Sequence, residues 1–182
     1  LQTMGTSSKE LFSVLSGLAA SQEGYFSAKQ AVMAGYADSV HHYHVTNGDW
    51  EKVYRGIYRL KDHPAGEWPE LVIWSLWSRG RGDEPLGVYS HETALAIHGL
   101  GEKTHPLHMT VPSTFRKNCE LPSDLILHKA DLVPEDVEQK PGYRVTTPDR
   151  TRGDLGLDRV VSLAGSWGHG LSFDQALEQG FD

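Results

Sequence analysis

The hydrophobic positions of this 182-residue chain fall into two rhythms. Leu11, Val14, Leu15 and Leu18 recur at i, i+3, i+4 and i+7, which predicts an amphipathic helix over residues 8–20 capped by Ser7 or Ser8. Ser21-Gln-Glu-Gly24 is a turn. Ser27, with Gln30 three residues on, makes an S-x-x-Q capping box, and Ala28, Ala31 and Val32 give the short helix behind it an apolar face. Gly35 ends that helix at a position suited to a positive φ. Asp38 or Ser39 caps a further helix through about Thr46, closed by Asn47-Gly48, with Val40 and Val45 turned to the core. The rhythm then shifts to period two. Trp50–Val53 and Ile57–Leu60 read as strands, with Arg55-Gly56 at the turn between them.

Helix, tight turn, helix and basic ribbon is the layout of a winged helix-turn-helix, whose second helix enters the major groove of DNA. The rival reading of the same residues is a small helical subdomain with a hairpin. Ser39, His42, Tyr43 and Thr46 are the candidates for the groove-facing side of the second helix. That helix has no Lys or Arg, and His41, His42 and His44 stand where a strong DNA reader often places arginines. Neutral imidazole forms hydrogen bonds but adds no charge, so the sequence predicts modest affinity that depends on salt and pH. Lys52, Arg55 and Arg59 are candidates to hold phosphates or reach the minor groove, and Lys29 is a further DNA-binding candidate. His41 and His44 lack a carboxylate or thiolate at ligand spacing, so a metal is not expected there.

Beyond the linker Lys61–Gly66 the pattern is mixed. Glu67–Ser78 reads as a helix with Pro69 in its first turn, and Trp74 and Trp77 as packing residues. Arg79–Pro85 is an exposed loop. Val88-Tyr89 is a short strand running into a helix from Ser90 to His98, with Gly99 as its cap and His98 as a packing residue. His91-Glu92 does not continue into a metalloprotease motif, because position 95 is Leu95. Leu107–Val111, Leu125–His128 and Tyr143–Thr146 read as strands, and Asp131–Val137 as a turn or short helix. His105 and His108 point to opposite sides of a strand start and are not expected to pair on a metal. Thr147-Pro148-Asp149 opens a helix in which Arg150 and Asp154 pair one turn apart. Asp158–Ala164 continues helically, Ser166–Leu171 is a Gly-rich loop without the ending of a phosphate-binding loop, and Ser172-x-x-Gln175 caps a last helix.

Charge sharpens the division. The formal net charge is −7, but residues 1–61 carry six Lys/Arg against five Asp/Glu, for +1, which leaves −8 for residues 62–182. Four of the six N-terminal bases lie within Lys52–Lys61. Phosphate contact needs a local basic strip more than a basic protein, and an acidic remainder suppresses non-specific DNA binding. The lone Cys119 forms no internal disulfide and suits a reducing cytosol. No basic region followed by an apolar core opens the chain, and a native start near Met4 is expected. No membrane span is expected either.

The blocks GYFSAKQA, WEKVYRGIYRL, GVYSHETALAIHGL, LHMTVP and VTTPDRTRGDL, in that order, resemble the AbiEi family of antitoxins from bacterial abortive-infection (type IV toxin–antitoxin) systems. The resemblance runs from about Ser21 to Gly180. It implies an α+β protein with a winged helix-turn-helix DNA-binding domain over residues 1–61 and a mixed α/β antitoxin domain over residues 62–182. It implies a cytoplasmic bacterial repressor that binds repeated sites in double-stranded DNA of its own promoter. It also implies a protein that counteracts a nucleotidyltransferase-type toxin without a stable complex. The expected protein is not an enzyme and needs no catalytic residue, cofactor or metal. Two rivals are a stand-alone winged-helix regulator whose acidic second domain binds a protein, and a metal-dependent nuclease or hydrolase built on the ten histidines.

Overall fold

In the computed structural model, which describes residues 7–157, the first helix α1 (Ser8–Ala20) opens on a complete capping box. Ser7 Oγ accepts from the Glu10 amide at 3.3 Å, while the Ser7 amide donates to Glu10 Oε2 at 2.7 Å. Strand β1 (Tyr25–Ser27) leads into α2 (Ala28–Met33), where Ser27 and Gln30 form the predicted capping box. Gln30 is buried and reaches further, exchanging hydrogen bonds of 3.0 and 3.2 Å with Gln22. Gly35 takes φ +105°, the left-handed region that the sequence assigns it.

A single turn of 3₁₀ helix (Asp38–Val40) precedes α3 (His41–Asn47), which Gly48 closes. This turn shifts the phase of the expected helix. Val40 is left exposed, and His41 takes the inward position that the sequence assigned to Val40. Val45 packs against the core as expected. Strands β2 (Trp50–Tyr54) and β3 (Ile57–Leu60) form the hairpin, with an irregularity between Lys52 and Tyr54. Strand β1 pairs antiparallel to β3, so the order of this sheet is β1-β3-β2.

The two faces of that sheet do different work. Phe26, Trp50 and Leu60 join Leu15, Ala19, Ala31 and Tyr36 in a core under α1, α2 and α3. Tyr25 and Ile57 join the other core, with Leu71, Trp74 and Trp77 of α4 (Pro69–Trp77). One thin sheet thus carries apolar residues on both faces and couples the two halves of the chain.

The second sheet has the order β6-β5-β4-β8-β7. Its strands are β4 (Val88–Tyr89), β5 (Leu107–Val111), β6 (Leu125–Lys129), β7 (Val137–Lys140) and β8 (Tyr143–Thr146). Pairs β4–β8 and β5–β6 are parallel; β4–β5 and β7–β8 are antiparallel. Helices α5 (His91–Ile97) and α6 (Pro148–Asp154) lie against each other beside this sheet. Tyr89 is fully buried, and its hydroxyl donates to the Leu71 carbonyl at 2.7 Å, tying β4 to α4. In the β7–β8 turn Gly142 has φ +78°, and a Cβ there would fall 3.0 Å from the Val72 side chain and 3.1 Å from the Gln22 backbone. Six helices and two sheets within the described residues make a mixed α+β fold. The expected elements over residues 158–182 lie outside the described residues.

Candidate functional sites

The exposed side of α3 presents His42, Tyr43 and Thr46, preceded by exposed Ser39. His42 and Thr46 stand one turn apart, with Nε2 and Oγ1 3.4 Å from each other. Tyr43 is 62% exposed, a large aromatic with no core to fill. The inward side explains why α3 sits where it does. His41 is buried with its ring 5.3 Å from that of Trp50 and 5.9 Å from that of Tyr58, and its Nδ1 lies 3.5 Å from Asp38. His44 stacks on Trp50 at 4.7 Å and bonds Asp49 through Nδ1 at 3.0 Å. That bond, followed by those from Asn47, holds the Asp49 carboxyl below the usual carboxylate range. Of the three histidines, only His42 is turned fully outward.

The basic candidates separate into two groups. Lys52 is exposed on the ribbon face shared with Trp50 and Tyr58, the face toward α3, and Arg55 is exposed at the β2–β3 turn. Arg59 stands opposite Tyr25 and Glu51 on the other face and is ion-paired to Glu51 at 2.7 Å. Lys29, exposed on α2, donates through Nζ to the Arg81 carbonyl. It lines a cleft with Arg79, Arg81, Arg116 and Lys117, with Glu84 among them. Arg79 is engaged by Asp83, and Lys117 donates to the Arg79 carbonyl at 2.8 Å. The structure therefore gathers Ser39, His42, Tyr43, Thr46, Lys52 and Arg55 around α3 and the ribbon, and sets Lys29 and Arg59 apart.

A second constellation was not visible in the sequence. β4 ends at Tyr89, and His91 adopts φ +54° as the chain turns into α5. Strand β5 supplies His108, and β6 supplies His128 from the neighbouring parallel register, where Thr110 faces His128. Nδ1 of His108 lies 2.9 Å from Nε2 of His128. The rings of His91 and His128 stack at 3.8 Å, and those of His108 and His128 at 5.1 Å. One nitrogen from each of the three falls within 4.8 Å of the others. Thr110 Oγ1 donates to Ser90 Oγ at 2.8 Å, and Ser90 Oγ lies 2.9 Å from His91 Nδ1. The exposed Glu92 carboxylate reaches to 3.5 Å from His108 Nδ1.

Burial pushes the imidazoles of His91 and His128 below the usual histidine range; His91 and His108 nearby push His128 further down. The negative charge of Asp154 opposes the effect at both. His98, the packing residue of the sequence reading, accepts that role: its Nε2 lies 2.7 Å from the Thr146 carbonyl. His105 is not in the cluster.

No protein-family model matches this chain, and no curated protein matches it. Among the described residues, no helix is long and apolar enough to cross a membrane.

Proposed function

We propose that this chain is a winged helix-turn-helix DNA-binding repressor of the antitoxin kind, acting on its own promoter and opposing a nucleotidyltransferase-type toxin. The observation that carries the reading is the arrangement α1-β1-α2-α3-β2-β3 with strand order β1-β3-β2, helices on one face and the outer side of α3 left polar and exposed. Such an arrangement is suited to laying α3 in a major groove while the ribbon reaches the flanking backbone. His42, Tyr43 and Thr46 contact base edges or phosphates, and Lys52 and Arg55 hold phosphates. Lys29, on α2, stands apart from this surface, and Arg59 braces the ribbon from behind through Glu51. Residues 1–61 carry operator binding, and residues 62–182 carry the antitoxic activity and the excess negative charge.

The test is co-expression in bacteria with the neighbouring reading frame, alongside a reporter driven by the chain's own promoter. The reading predicts repression of the reporter and rescue of growth. Repression without any toxic neighbour leaves a stand-alone regulator; neither repression nor rescue overturns the reading.

A further inference from the structure

We propose that His91, His108 and His128 form a binding site for a divalent transition-metal ion of the zinc type. Three imidazoles are a donor set that such ions take readily, and one that hard ions such as magnesium or calcium do not. Two nitrogens bound to one tetrahedral zinc at ~2.0–2.1 Å stand roughly 3.3 Å apart. The closest pair here is separated by 2.9 Å and all three nitrogens lie within 4.8 Å, so the spacing brackets what an ion requires. The His91 and His128 rings lie 17° from parallel and those of His108 and His128 16°, so binding an ion requires the side chains to turn until their lone pairs meet at one point.

Three further features support the site. The backbone of His91 occupies the left-handed region, a conformation that costs free energy in a non-glycine residue and concentrates at functional positions. Ser90 Oγ accepts from Thr110 Oγ1 and, in the tautomer with the proton on Nδ1, also from His91 Nδ1, which leaves the His91 Nε2 lone pair for a metal, the orienting contact that metal-bound histidines need. Glu92 places a carboxylate beside His108 at the solvent side, where a fourth ligand or a bound water would stand. The rest of the surroundings are firm: Thr93 Oγ1 accepts from the His108 amide at 2.8 Å, and Ser90 and Thr93 are fully buried. The site lies on α5, β5 and β6, away from α3 and the ribbon, so it stands or falls independently of DNA binding.

The experiment is a titration of the full chain, stripped with chelator, with zinc chloride by isothermal calorimetry. One ion per chain is expected. His108→Gln and His128→Gln should abolish that binding, while His98→Gln and His42→Gln leave it intact. X-ray absorption on the zinc-loaded wild type gives a readout that does not depend on a variant folding, and three imidazole nitrogens at ~2.0–2.1 Å are expected. Absence of stoichiometric binding, a thiolate from Cys119 in the coordination shell, or binding unchanged in well-folded His108→Gln and His128→Gln each overturn the proposal.

Discussion

Arg59 donates two hydrogen bonds to a single oxygen of Glu51, at 2.7 and 3.1 Å, on the ribbon face turned away from α3. In sequence, Arg59 and Arg55 are equivalent basic residues of one hairpin. In the fold, Glu51 engages one and the other stands at the turn. Arg59→Ala should therefore lower stability by about 0.5 kcal/mol, the usual worth of a partly exposed pair, and leave promoter affinity nearly unchanged. Arg55→Ala should weaken binding to all duplexes about equally and reduce the salt slope by about one. Urea unfolding and anisotropy titrations at several salt concentrations check both.

Gln30 does three things at once: its Oε1 accepts from the Ser27 amide at 2.9 Å and from Gln22, and its Nε2 donates to Gln22. Ser27→Ala removes one cap and should cost about 1 kcal/mol. Gln30→Ala also leaves Gln22 Oε1 without its partner in a buried place, while Gln22 Nε2 keeps the Tyr25 carbonyl, and should cost about 1–3 kcal/mol, more than Ser27→Ala. Denaturant midpoints of the two variants order them.

Tyr89 is wholly buried, and burial raises its hydroxyl well above the ordinary tyrosine range. The folded chain keeps this proton where the unfolded chain releases it. Below the ordinary tyrosine value the group has no effect on the pH dependence of stability; above it the unfolded state gains and stability falls as pH rises. Tyr89→Phe should lose the bond to Leu71, at about 1 kcal/mol near neutral pH, and should flatten the alkaline fall. Denaturant titrations from neutral to alkaline pH measure the difference.

At acid pH the sign reverses. The Asp131 carboxylate accepts from the Ser113 amide at 2.9 Å and from its hydroxyl at 2.8 Å, and these bonds hold its carboxyl below the usual range. This stabilisation is present above the ordinary aspartate value and disappears as pH falls through the lowered one. Ser113→Ala, which keeps the amide donor, should move the Asp131 midpoint part of the way back up in an NMR titration.

The elements most legible in the sequence were those fixed by local chemistry. The cap at Ser7, the capping box at Ser27, the Pro148 helix start and the Asn47-Gly48 close each depend on a few adjacent residues. Strand β1 was missed because Tyr25–Ser27 is only three residues long and gains its ladder from β3, thirty residues away in sequence. Strand β7 was missed because Val-Glu-Gln-Lys is a polar edge strand with little alternation to read. In α3, a 3₁₀ turn exchanged the roles of Val40 and His41, a phase shift that a periodic pattern cannot register. The three-histidine cluster is non-local: His91 leaves a strand–helix turn, and His108 meets His128 only through a parallel register. Its one local trace was His91-Glu92, read against a helical motif that Leu95 breaks.

We propose that α3 and the ribbon bind the chain's own promoter. The most direct measurement is a fluorescence anisotropy titration of the full chain against that promoter duplex and a scrambled duplex of equal length. Tighter binding to the promoter, weakening with salt, is expected, with loss of the preference in a His42→Ala, Tyr43→Ala double variant that stays folded. Equal affinity for both duplexes, or a preference that survives the double variant, contradicts it.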